Sequence, residues 1–219
     1  LISAAPMDRF DDPIAAYAEE HSQPEPDLLA RLRRRTWQTQ THAHMLSDPL
    51  QGRLLALLSQ LVQPMRVLEL GTFTGYSTLC LAEGLAPGGV IHTVDPDEEL
   101  HALQDAFWAE AGVSGQIIRH TSEASAALPH LSDPFDLVWI DADKRRTPEY
   151  VAWAIEHTRP GGLILVDNVL WWGKVLDGNR AADPDARALH ALNEALRDDP
   201  RVENVVLPLR DGIHALRVR

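Results

Sequence analysis

The chain has 219 residues, 45% of them hydrophobic, and a formal net charge of -12, which fits one domain with one large core, so disorder is not the default reading. The acidic balance argues against a generic phosphate-binding surface, which clustered Lys and Arg would create, and no apolar run approaches the roughly 20 residues of a bilayer span. A single cysteine, Cys80, excludes an internal disulfide or a multi-cysteine zinc site. Residues 1–10 offer neither the basic start nor the apolar run of a secretory signal, so a cytoplasmic protein with no membrane partner is expected.

Residues 1–63 read as a helical cap, with helices expected near 13–20, 26–41 and 48–61. Leu54, Leu55, Leu57, Leu58 and Leu61 recur at helical spacing and should lay the third helix against a core. Pro64 ends it. Arg31, Arg33, Arg34 and Arg35 read as a solvated helix face. From residue 64 the pattern changes to short apolar runs at 66–70, 90–95, 116–120, 135–141 and 163–167, separated by helical segments. That alternation predicts a parallel sheet covered on both faces. Runs at 202–207 and 213–218 are joined by a short connection holding Gly212, which can make only an antiparallel hairpin. The fold expected is therefore a single α/β domain over 1–219, a Rossmann-like doubly wound core from 64 behind the helical cap.

In Val67-Leu68-Glu69-Leu70-Gly71-Thr72-Phe73-Thr74-Gly75-Tyr76-Ser77 a strand enters a glycine turn and then a helix. Ligands of doubly wound sheets sit at such carboxyl ends. Gly71 would let the backbone approach a ligand, free N–H groups near Gly75 suit the carboxylate of a methionine moiety, and Ser77 adds a hydroxyl. A dinucleotide fingerprint would need its second glycine, bare backbone beside a pyrophosphate, where the bulky Phe73 stands. Glu69, two places before Gly71, favours a cationic or amine-bearing ligand over a diphosphate. Asp95, at the end of the second run, is placed either to accept the hydrogens of two ribose hydroxyls or to cap a helix that begins at Pro96.

The fourth and fifth runs end in Asp141-Ala142-Asp143-Lys144 and Asp167-Asn168. Neighbouring strand ends would bring two carboxylates and an amide oxygen together, a set suited to Mg²⁺ or another hard dication that keeps exchangeable waters. Lys144 is the candidate base, a role that needs its neutral form; the alternative is a surface ion pair with Asp143. A dication that lowers a phenol-like pKa from about 10 to about 7 eases deprotonation by roughly 4 kcal/mol, comparable to a well-placed base. The ten histidines show no i, i+4 zinc spacing, and His42 and His44 read as structural or solvent-facing.

Four stretches carry a resemblance: 68–77, 135–144, 167–175 and 207–212, in that order along the chain. They are similar to the metal-dependent class I O-methyltransferases related to caffeoyl-CoA and catechol O-methyltransferases, especially small bacterial members. The resemblance implies S-adenosylmethionine as methyl donor, a divalent cation (Mg²⁺, or Mn²⁺ or Ca²⁺) on Asp141, Asp167 and Asn168, and Lys144 as base. It further implies cofactor contacts by Ser47, Glu69, Gly71, Thr72, Ser77, Asp95, Ala124 and Asp141, and an acceptor pocket walled by Met45, Trp171 and Trp172 beside Lys144. A seven-stranded sheet with an antiparallel last strand, and a homodimer, are implied as well. The chain departs from the family pattern after Lys144, where Arg145, Arg146, Thr147 and Pro148 replace the usual Asn and Tyr, and at Ser122-Glu123-Ala124, which replaces Gly-x-Ala.

The function expected is transfer of the sulfonium methyl to one hydroxyl of a small catechol-like aromatic. Two rivals stand beside it: a hydroxylated tRNA nucleoside as acceptor, which the acidic charge disfavours and the arginines at 31–35 and 145–146 keep open, and a noncatalytic cofactor-binding protein.

Overall fold

The computed structural model describes residues 13–131, 134–176 and 180–219; the stretch 1–10, read above for a secretory signal, lies outside them. The N-terminal helices are α1 (Pro13–Glu20), α2 (Asp27–Thr39) and α3 (Pro49–Val62). The core follows as β1 (Arg66–Leu70), α4 (Tyr76–Ala82), β2 (Val90–Val94), α5 (His101–Glu110), β3 (Ile117–His120), α6 (Ala124–Ala127), β4 (Phe135–Ile140), α7 (Thr147–His157), β5 (Thr158–Asp167), α8 (Pro184–Arg197), β6 (Val202–Leu207) and β7 (Ile213–Val218). No helix among the described residues is long and apolar enough to cross a membrane.

The seven strands lie in the order β3-β2-β1-β4-β5-β7-β6. β1 to β5 are mutually parallel, and β7 runs antiparallel to both β5 and β6, the hairpin that the short connection at Gly212 requires. Runs of Val, Leu and Ile form the central strands because both faces are covered. On one face Leu68, Leu70, Val138, Ile140, Ile164 and Val166 pack with Tyr150, Val151 and Ala154 of α7 and with Leu192 and Leu196 of α8. On the other, Val67, Ile91, Leu137, Trp139 and Leu165 meet Leu32 of α2, Leu55 of α3, Leu81 of α4 and Trp108 of α5. Each fully buried leucine here contributes about 2 kcal/mol.

Two expectations are corrected. α3 does bury one side, but through Gln51, Gly52, Leu55, Ala56 and Ser59; Leu57 and Leu61 are 54% and 73% exposed, because its leucines spread over more of the helix than the single face a core can cover. β5 begins at Thr158 rather than at residue 163. Pro160, Gly161 and Gly162 look like a turn, yet Thr158 pairs with Phe135 across a register shift that absorbs the irregular backbone.

The functional consequence lies in the strand order. The chain fills the sheet outward from β1 in one direction through β2 and β3, then returns to fill the other direction from β4. That reversal opens a crevice at the carboxyl ends of β1 and β4, where doubly wound sheets bind ligands. Gly71 leaves β1 there and Asp141 leaves β4.

Candidate active site

The two loops at this crevice touch through backbone. The Asp141 N–H donates to Leu70 O at 2.8 Å. Gly71 has φ +97, and a Cβ placed on it would lie 2.3 Å from the Asp141 carbonyl oxygen. Gly71 is thus required by the approach of the Asp141 loop and by its left-handed backbone.

Glu69 is fully buried and accepts three hydroxyl hydrogen bonds: Ser77 at 2.6 Å, Thr78 at 2.5 Å and Thr93 at 2.6 Å. Burial pushes its carboxyl up to about 7 despite these donors. The Ser77 hydroxyl is therefore turned to Glu69, and the carboxylate ties β1 to β2 and α4. Thr72, also buried, adds a hydroxyl contact to Thr93 at 2.5 Å. Asp95 does not cap a helix at Pro96; Asp97 caps the short 3-10 turn Glu98–Leu100 instead. Asp95 Oδ2 accepts from the backbone N–H of Thr72 and of Phe73, both at 2.9 Å, and its Oδ1 from Asp97 N–H at 3.0 Å. The carboxylate thereby sets the shape of the turn after β1 while standing half-buried at the end of β2. Ser47 is buried in the loop before α3, and Ala124 is buried at the start of α6.

The second group assembles at β4 and β5. Ile140 pairs with Val166, so the next residues, Asp141 and Asp167, leave neighbouring parallel strands about 4.8 Å apart. Lys144 Nζ donates to Asp141 Oδ1 at 2.6 Å and is 17% exposed. The lysine thus meets Asp141, not Asp143. Asp167 is buried; its Oδ1 accepts from the Asn168 N–H at 2.8 Å and its Oδ2 from Gln51 Nε2 at 2.8 Å. Burial, with the charge of Asp141 second, pushes the Asp167 carboxyl up to about 7, while Lys144 and Arg210 pull the other way. Asn168 follows at φ 61, half-buried.

Among the described residues no group of three or more His, Cys, Asp or Glu side chains forms a metal cluster; the set here is two carboxylates and an amide. It fits a hard dication on its own chemistry: all donors are oxygen, and the buried Asp167 carboxyl, pushed up by burial and by the neighbouring Asp141 charge, would be relieved by an added positive charge.

The residues expected to wall an acceptor pocket are partly exposed. Met45 and Trp172 are 53% and 57% exposed, so neither is core. Trp171 and Trp172 adopt φ 44 and 55, held by Trp171 Nε1 on Asp183 Oδ2 at 3.1 Å and by Trp172 N–H on Asp211 Oδ1 at 2.5 Å. Lys174 also meets Asp183, at 2.8 Å. Arg145 pairs with Asp185 and Arg146 with Glu149, both arginines exposed and Asp185 half-buried, and His42 and His44 are exposed. Gln51, Thr78, Thr93 and Arg210 were not found by sequence reasoning; only Gln51 leaves a trace, a polar residue one helical turn before Leu55 on the buried face of α3.

A family model described as O-methyltransferase matches residues 19–219. The catechol O-methyltransferase of Niastella koreensis is 38% identical over 166 residues, 74% of this chain and 75% of that protein. The caffeoyl-CoA O-methyltransferase of Stellaria longipes is 34% identical over 199 residues, 86% and 82% respectively. The O-methyltransferase from Bacillus cereus, solved in complex with SAH, superposes with a TM-score of 0.84 at 30% identity over 95% of this chain and 99% of that one. The glycine turn, the crevice at the strand reversal and these similarities agree: the chain belongs to the S-adenosylmethionine-dependent O-methyltransferase family, in the branch of the caffeoyl-CoA and catechol enzymes.

Proposed function

We propose that this enzyme methylates one hydroxyl of a small catechol-like aromatic and depends on a divalent cation, Mg²⁺ first, held by Asp141, Asp167 and Asn168. The observation that carries the reading is the meeting of Asp141, Asp167 and Lys144 at adjacent strand ends, in backbone contact with the Gly71 turn. When bound, the cation supplies Lewis acidity that eases loss of the acceptor's proton. Lys144, once it has given its own ammonium proton to solvent, takes that proton at Nζ, and Asp141 aims the lysine head at the site. The acceptor oxygen then forms its bond to the methyl carbon as the carbon–sulfur bond breaks, leaving a methyl ether and a neutral thioether. Glu69, Thr72, Ser77 and Asp95 shape the turn that holds the cofactor, with Ser47 and Ala124 at its two ends, so that oxygen, carbon and sulfur lie in line. Met45, Trp171 and Trp172 flank the ring of the acceptor.

A cytoplasmic setting and a homodimer belong to the same proposal; Leu57 and Leu61, exposed four residues apart on α3, offer an apolar face for a second copy. The test is methyl transfer from labelled S-adenosylmethionine to catechols, monophenols and tRNA, with Mg²⁺ and with chelator. Catechols are expected to be labelled, and chelator to lower the rate at least about 100-fold, the scale of lost Lewis-acid assistance. Labelling of tRNA alone, or catechol labelling indifferent to chelator, would contradict the reading.

A further inference from the structure

We propose that Gln51 and Arg210 are positioning residues that fix the Asp167 carboxylate for the dication, so that metal affinity depends on the loop between the last two strands. The inference rests on the metal-dependent reading above and extends it to side chains outside the donor set.

Gln51 is fully buried in the first turn of α3. Its Nε2 donates to Asp167 Oδ2 at 2.8 Å, and its Oε1 accepts from Arg210 Nη1 at 2.5 Å. Arg210 Nε in turn reaches Asp48 Oδ2 at 3.2 Å, and Asp48 Oδ1 caps the Gln51 N–H at 2.8 Å. The contacts close a ring through Asp48, Arg210 and Gln51 that opens toward Asp167.

A glutamine amide has one accepting and one donating end, and turning it over exchanges them. Turned over, Gln51 would set its oxygen against the Asp167 carboxylate. Arg210 prevents this because a guanidinium has donors only, so the end that meets it must be the oxygen. The amide hydrogen is thereby committed to Asp167 Oδ2, while the Asn168 N–H holds Oδ1. Both carboxylate oxygens are pinned by one donor each, and each keeps lone-pair capacity for a cation.

The backbone gives independent support. Arg210 has φ 49, a left-handed conformation that costs a residue with a Cβ about 1 kcal/mol and glycine almost nothing. A residue that only closed the loop would serve better as glycine. An arginine at this angle, with its guanidinium bonded to two partners on α3 and its cap, fits a positioning role.

The experiment is Mn²⁺ titration of the whole chain, followed by the resonance of free Mn²⁺, for the wild type, Arg210→Gly, Arg210→Lys and Gln51→Leu, with SAH affinity and thermal unfolding measured alongside. The expected result is an Mn²⁺ Kd raised about tenfold or more in Arg210→Gly and Gln51→Leu, the scale found when partners of metal ligands are removed. Arg210→Lys, which restores one donor, should fall between. SAH affinity should stay within about twofold, and Arg210→Gly should remain folded, because a backbone suited to glycine offsets part of the lost contacts to Gln51 and Asp48. Wild-type Mn²⁺ affinity in Arg210→Gly would overturn the proposal, and that variant keeps it testable if Gln51→Leu fails to fold. Failure of the wild type itself to bind Mn²⁺ would instead overturn the metal reading, and this inference with it.

Discussion

Lys144→Ala is expected to lower the single-turnover rate of methyl transfer about 10²- to 10³-fold, the range for loss of a positioned base. Cofactor affinity should change little, because the contacts that shape the cofactor turn run through Glu69, Thr72, Thr93 and Asp95, none of which touches Lys144. Its recorded contact is Asp141 Oδ1 at 2.6 Å. Removing the ammonium also leaves two neighbouring carboxylates with less opposing charge, which favours dication binding; Mn²⁺ affinity should therefore hold or rise while turnover falls. Rapid-quench kinetics and calorimetric SAH titration separate these quantities. Parallel loss of rate and of cofactor affinity would contradict the role given to Lys144.

The second large effect is expected at Gly71. Alanine there meets the Asp141 carbonyl oxygen at 2.3 Å and its carbonyl carbon at 2.8 Å, on a backbone held at φ +97. The obstruction is main chain, not the end of a flexible side chain, so relief requires the loops after β1 and β4 to separate. Backbone strain of about 1–3 kcal/mol adds to overpacking of similar size, for a loss near 3 kcal/mol or more in a urea unfolding series. Because the displaced loop carries Asp141, surviving protein should also bind Mn²⁺ more weakly. Gly71→Ala with wild-type stability would mean that the two loops do not lie against each other as described.

The sheet was legible in the sequence because central parallel strands are buried on both faces and so read as short apolar runs. Asp141 and Asp167 stood out because they interrupt those runs where the strands stop. The hairpin was legible too, since the connection holding Gly212 is too short for a crossover. Other features depend on relations that no local pattern records. Gln51 meets Asp167 across 116 residues of chain and Arg210 across 159. Glu69 carries a charge that suggests a ligand, but the three hydroxyls that take up its oxygens come from α4 and β2. Leu57 and Leu61 obey helical spacing, yet the width of the covered face is set by the sheet beneath α3. Arg145 and Arg146 stand out by departing from the family pattern, and the structure gives both to carboxylates, Asp185 and Glu149.

Crystals grown with Mn²⁺ and SAH, with data collected at the manganese edge, measure the geometry on which the chemistry depends. The expected map has one anomalous peak beside the SAH sulfur, about 2.0–2.6 Å from oxygens of Asp141, Asp167 and Asn168, the span of dication–oxygen bonds. A manganese held elsewhere, or Asp141 and Asp167 turned from a common point in the loaded protein, would contradict it.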